Sequence, residues 1–162
     1  MSHGKRPDIR ADDYPGRRKY GFTVNGELPL ADNGDTGLFA RAGWNDGRTE
    51  SFTYTEVDRT LCGGLQLSAT HWGRPQDHLG VAIAIDALSK DHRDYLARGG
   101  NGFMLGDGAL AYGEERIIEV YYNFVLLKHL TLTPDFQWIQ NPGFNRARGP
   151  AHFASLRVHV ES

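Results

Sequence analysis

The chain has 162 residues, enough for one domain, and its 18 Lys and Arg against 20 Asp and Glu leave a formal charge of −2. That near-balance gives no electrostatic reason to bind nucleic acid or an anionic lipid surface. A single cysteine, Cys62, excludes an internal disulfide framework and a multi-cysteine metal site, and no segment approaches the roughly 20 apolar residues of a membrane helix. Twenty glycines and 11% aromatic residues favour strands and turns. Residues 1–10 are polar and basic, without the apolar stretch of a signal peptide.

Period-2 hydrophobicity predicts seven strands. The first, 19–30, sets Phe22, Val24, Leu28 and Leu30 against Thr23, Asn25 and Glu27, and Pro29 marks it as ending or lying at an edge. After an Asp- and Gly-rich turn, 36–45 sets Leu38, Ala40, Ala42 and Trp44 against Arg41. The third, 60–72, sets Leu61, Leu65 and Leu67 against Cys62, Gln66 and Ser68. The fourth, 78–86, sets Leu79, Val81, Ile83 and Ile85 against His78, Gly80, Ala82 and Ala84. Ser89, the polar run behind it and Gly99-Gly100 predict one short helix over 89–98. The last three strands are 115–126, 130–140 and 151–160. Their second faces carry Ile117, Glu119, Tyr121, Asn123 and Val125, then Thr131, Thr133, Asp135 and Gln137, then Phe153, Ser155, Arg157 and His159.

Connections between these strands alternate in length. Short ones fall at 31–35, 73–77 and 127–129, long ones at 46–59, 87–113 and 141–150. A soluble meander has no reason to gather its tight turns at one end, whereas bacterial outer-membrane barrels have short periplasmic turns and long extracellular loops. The strands are long, near the 9–11 residues that cross a bilayer at a tilt, and Tyr20, Trp44, Trp72, Tyr112 and Trp138 stand near strand ends, where interfacial girdles belong. The expectation is all-β: an antiparallel transmembrane β-barrel with residues 1–18 as the remnant of an extracellular loop or a disordered tail, and 19–162 as barrel. Seven strands, an odd number beginning in mid-loop, point to the C-terminal part of a larger barrel. The alternative from the same pattern is a soluble β-barrel or sandwich that binds a small ligand or sugar. A truncated gene product without function is a third.

Several segments carry a more specific signal. They are the stretch from Gly37 to Glu50 (GLFARAGWNDGRTE), Gly99-Gly100-Asn101-Gly102-Phe103 with Gly106-Asp107-Gly108, and Glu119 with Tyr121-Tyr122. The most specific is Leu132 to Asn145 (LTPDFQWIQNPGFN), closed by Arg148-Gly149-Pro150. In this order they resemble the OprB family of carbohydrate-selective porins, over roughly residues 20–161. Phe144 stands where that family usually has Tyr, and Ala147 where it usually has Asp. The resemblance implies a barrel of about sixteen strands in the outer membrane of a Gram-negative bacterium, admitting sugars by diffusion, of which this chain is the C-terminal portion. The implied partners are passing sugars, outer-membrane lipid and either the remaining barrel strands or other copies of the chain, with no cofactor.

Sugar passage needs hydrogen-bonding side chains on a wet wall, with aromatic rings offering apolar faces. The candidates on the polar sides are Arg41, Gln66, Glu119, Tyr121, Asp135, Gln137 and Arg157. The plainer reading of each is a rung in a solvated cross-strand ladder. Arg48, Glu50, Glu56, Asp58 and Arg59, in the first long loop, either fold inward or face solvent. His71, His78 and His92 with Asp77, Asp91 and Asp94 lack the paired spacing of a metal site. A calcium-binding glycine repeat at 99–104 has Met104 where Asp is required. Glu114-Glu115 has no partner carboxylate at catalytic spacing. The reading is a passive pore wall and not an enzyme.

Overall fold

The alternating segments assemble into a single antiparallel sheet. In the computed structural model, which describes residues 7–8, 16, 18–49, 56–106 and 108–161, seven strands pair in chain order. They are β1 (Gly21–Ala31), β2 (Thr36–Asn45), β3 (Arg59–Ala69), β4 (Arg74–Ala87), β5 (Glu115–Leu127), β6 (Leu130–Gln140) and β7 (Ala151–Val160). One helix, α1 (Lys90–Ala97), lies between β4 and β5. Ser89 caps it, accepting a hydrogen bond from the His92 amide at 3.1 Å, which satisfies one of the free amides of the first turn. Most of the tail expected over 1–18 lies outside the described residues.

The expected asymmetry is present: connections at 32–35, 70–73 and 128–129 gather at one end, and those at 46–58, 88–114 and 141–150 at the other. The second tight turn sits earlier than its sequence suggests. Thr70–Trp72 form a single 3₁₀ turn and Gly73 takes φ +79°, a left-handed angle that costs glycine nothing, so 74–77 already belong to β4. A register shift beside Ser68 and Ala69 absorbs the extra residues. There the Asp77 carboxylate is buried and accepts from the Arg74 guanidinium, from the Tyr122 hydroxyl at 3.1 Å and from the Val125 amide at 2.9 Å. It thereby joins β4 to β5 where the backbone ladder is interrupted.

Register runs straight across the sheet, so rows of side chains share a face. Leu28, Leu38, Leu65, Val81, Val120, Phe136 and Ala154 form one row. With the rows beside it they make a continuous apolar face. That face is uncovered: Leu28 is 57% exposed, Leu61 59% and Leu156 61%. A soluble barrel or sandwich buries its apolar face, and soluble monomers seldom leave patches above a few hundred Å² open. The buried hydrophobic residues are few, and Leu88, Leu96 and Phe144 among them lie in the long loops rather than between sheets.

Within the strands, glycines make room for rings. A Cβ at Gly64 would meet the Phe39 ring at 2.5 Å and the Val81 carbonyl oxygen at 2.6 Å, whereas one at Gly26 would meet nothing within 4 Å. Gly64→Val is therefore expected to destabilise the sheet by about 1–3 kcal/mol through overpacking against backbone that cannot move aside. Gly26→Val should stay within about 0.5 kcal/mol of the parent. Urea unfolding of the two variants in detergent micelles checks the contrast.

Candidate functional site

All seven sequence-predicted site residues fall on the face opposite the apolar one. Glu119 and Gln137 share a row with Glu27, Phe39, Gly64, Ala82 and Phe153; Gln66, Tyr121 and Asp135 share the next with Gly37, Gly80 and Ser155. Arg157 pairs with Thr133 one row further. Arg41 stands in a different row, with Asn25, Cys62 and Ala84, apart from the cluster on β5–β7.

The cluster is held by short polar contacts. Gln137 donates from Nε2 to Glu119 Oε2 at 3.2 Å. Asp135 and Arg157 lie close enough to Glu119 to act on it electrostatically. Asn123 donates to Thr133 Oγ1 at 3.3 Å. Tyr121 reaches further: its ring lies over Gly80, crosses β4 and places its hydroxyl 3.3 Å from Gln66 Oε1 on β3. A side chain on Gly80 would block that path, so the glycine links residues two strands apart. The result is a wall of donors and acceptors with a flat aromatic ring laid against it. Such a surface has the donors, acceptors and ring face that recognition of a polyhydroxylated molecule requires.

Phe39 and Phe153, 41% and 55% exposed on this polar face, are not among the sequence-predicted site residues, although Phe153 falls on the polar side in the sequence pattern as well. Their signal was faint, because a phenylalanine in alternation reads as core. The His and Asp residues that hint at a metal do not converge. His78 faces Asp35 at 4.0 Å at the short-turn end, while His92 binds Asp58 at the long-loop end. Among the described residues no three His, Cys, Asp or Glu form a metal-holding group.

Among the described residues of the first long loop, Arg48 is exposed and pairs with Asp91 at 3.5 Å, whereas Glu56 and Asp58 are buried and stapled to other loops. Glu50 lies outside the described residues, as does Asp107. Glu56, 4% exposed, accepts from the backbone amides of Phe103, Met104 (3.3 Å) and Leu105 (3.0 Å). Asp58, 2% exposed, accepts from the Ser89 amide at 2.8 Å and meets His92 Nδ1 at 2.9 Å. Ser89 in turn donates from its hydroxyl to the Gly47 carbonyl at 3.1 Å. Around these contacts Leu88, Leu96 and Phe144 form a small core with Val57, Tyr95, Leu105, Leu110 and Tyr112. Tyr112, expected in an interfacial girdle, packs against this core with Arg93 4.6 Å above its ring, and pairs with Asn145 of the last loop through the bonds of Gly113 to Phe144 and of Arg146 to Ala111. Of the other expected girdle residues, Tyr20 lies 5.8 Å from Trp44, which also meets Phe22 at 5.8 Å, and Trp72 donates a hydrogen bond to Tyr122 at 2.9 Å, while Trp138 makes no such ring contact among the described residues.

Burial raises the Asp58 pKa, but hydrogen bonds from His92 and Ser89, with the charge of His92, outweigh it and hold the carboxyl below its ordinary value. On the exposed side of α1, the hydrogen bond from Lys90 at 2.6 Å lowers Asp94.

Residues 3–161 match the family described as carbohydrate-selective porin, OprB family. Among solved structures, one of Pseudomonas putida OprB at high pH superposes with a TM-score of 0.72 at 23% sequence identity, over 88% of this chain and 35% of that one. The chain thus spans about a third of the length of the porin it resembles, and the likeness establishes the fold. No curated protein matches it significantly in sequence.

Two outcomes follow from the clasp. A carboxyl depressed in the folded state stabilises above its unfolded value, near pH 4, and loses that contribution as pH falls through the lower folded one. Amide protection factors across 88–106, taken relative to intrinsic exchange at each pH, should therefore hold from neutrality to about pH 4 and fall below it, and Asp58→Asn should flatten the profile. Glu56→Ala leaves the amides of 103–105 without their acceptor and is expected to cost about 1–3 kcal/mol locally, speeding exchange at Leu105 roughly tenfold or more.

Proposed function

The chain belongs to the OprB family of carbohydrate-selective porins, and on that premise we propose that its sheet forms part of the wall of a passive carbohydrate channel in the outer membrane of a Gram-negative bacterium. The observation that carries this reading is the separation of faces. One side of every strand is apolar and exposed; the other bears the hydrogen-bonded cluster around Glu119, Tyr121 and Asp135. In a membrane the apolar side meets lipid and the polar side meets the aqueous lumen. The short turns then lie in the periplasm and the clasped loops outside. The family is one of channels, and a channel wall needs no nucleophile or metal.

On this reading Glu119, Asp135, Gln137, Gln66 and Arg157 exchange hydrogen bonds with sugar hydroxyls as they pass, while Tyr121 offers a ring face. Arg41, in its separate row, meets the sugar at a different depth. Each contact is weak, as transport requires: binding must favour entry without blocking exit.

Because the chain matches only part of the Pseudomonas porin, the test is a graft. Residues 20–161 replace the corresponding stretch of that porin, and conductance is recorded in planar bilayers with and without mono- and oligosaccharides. Sugar-dependent block of the current is the expected result. A chimera that conducts ions but is blocked by no sugar overturns the proposal. Glu119→Gln and Arg157→Ala are each expected to weaken block about 2–10-fold, the worth of one hydrogen bond at 0.5–1.5 kcal/mol.

A further inference from the structure

Gly80 lies inside β4, between Gln66 of β3 and Tyr121 of β5 in one row of the polar face. A glycine in a strand interior weakens it, having no side chain to pack, and marks a bulge, a bend or a close approach. Neither of the first two applies. Pairing runs without a shift from His78 to Asp86 against β5, and Gly80 is not among the glycines of positive φ. The backbone there suits any residue, so what remains is the close approach. A Cβ on Gly80 would fall on Cε1 and Cζ of the Tyr121 ring, with the hydroxyl oxygen at 2.6 Å.

The three nearest atoms thus belong to one movable side chain. Gly64 differs, because a Cβ there would also meet the Val81 carbonyl oxygen at 2.6 Å. The space at Gly64 serves the sheet, and the space at Gly80 serves a ring. Strand side chains stand roughly perpendicular to their sheet, and a tyrosine standing so at position 121 would project its full length from the polar face. Tyr121 lies along the wall instead, and its far end is tied. Its hydroxyl is 3.3 Å from Gln66 Oε1, while Gln66 donates from Nε2 to the Asp35 carbonyl at 3.2 Å, in the turn between β1 and β2. Toward the long loops the next positions of β4 on this face are Ala82 and Ala84, too short to rise beside the ring.

We infer that Gly80 is a positioning residue for transport: by admitting the Tyr121 ring against the wall, it sets the free width of the lumen at that depth and the largest sugar that passes. A side chain at position 80 tips the ring inward, because the backbone closes the other side. The inference rests on the lumen assignment of the proposed function and adds the size of the sugar as a property read there.

The test makes the chimera described above with Gly80→Ala, and with Gly80→Ala together with Tyr121→Ala. Single-channel conductance is recorded, and passage of mannose and of the trisaccharide raffinose is followed by liposome swelling. Gly80→Ala is expected to lower conductance roughly twofold and the raffinose-to-mannose ratio roughly tenfold, since passage depends steeply on pore diameter. The double variant should recover both. A loss of stability alone would reduce the number of channels and leave the conductance of each, and the ratio, where they were. Gln66→Leu keeps the glycine and frees the hydroxyl, so it is expected to lower the ratio about twofold even where Gly80→Ala fails to insert. An unchanged ratio in every single variant that inserts overturns the inference, as does a double variant that stays narrow. A chimera narrowed by Gly80→Ala and reopened by the double variant, but blocked by no sugar, removes the carbohydrate reading and leaves the role of Gly80 standing.

Discussion

Everything in this structure depends on one antiparallel ladder of seven strands whose two faces differ in polarity. Because side chains alternate with a period of two, slipping any strand by one residue would carry Glu119 or Arg157 to the apolar side and Ile118 or Val158 to the polar one. The register is therefore strongly determined even though almost nothing lies between two packed layers. That explains why so few hydrophobic residues are buried: the apolar surface is not a core but an exterior. It also explains the polar anchor at Asp77. Where the β4 backbone departs from regular pairing, a carboxylate takes the Val125 amide that the ladder leaves free.

The long loops obey ordinary globular rules. They have buried leucines, a capped helix, paired charges and satisfied carboxylates, all within segments that connect strands. Two folding regimes thus share one short chain. The sheet draws its specificity from alternation and backbone pairing, and the loop cluster draws its own from packing and a few buried acids.

Much of the fold was legible because period-2 alternation is a repeated signal. β2, β6 and β7 occupy the expected bounds, and the separation of short from long connections holds at every strand. The seven candidate residues fall on one face for the same reason. What stayed hidden were contacts between segments distant in sequence. Nothing near Glu56 announces that it will collect amides 47–49 positions away. Nothing local tells that Tyr121 will span a glycine to reach Gln66. The second turn was misplaced because Pro75 and Asp77 look like turn residues, while the turn itself is made by Thr70, His71 and Trp72, which do not.

The Glu56 clasp has a corollary for substitution. It grips the loop through main-chain amides, which every residue except proline supplies, and leaves the side chains of Phe103 and Met104 pointing outward at 63% and 68% exposure. Anchorage and surface identity are thereby uncoupled. The side chains at the tip of this loop can therefore be exchanged for others without loosening the fold that holds it in place.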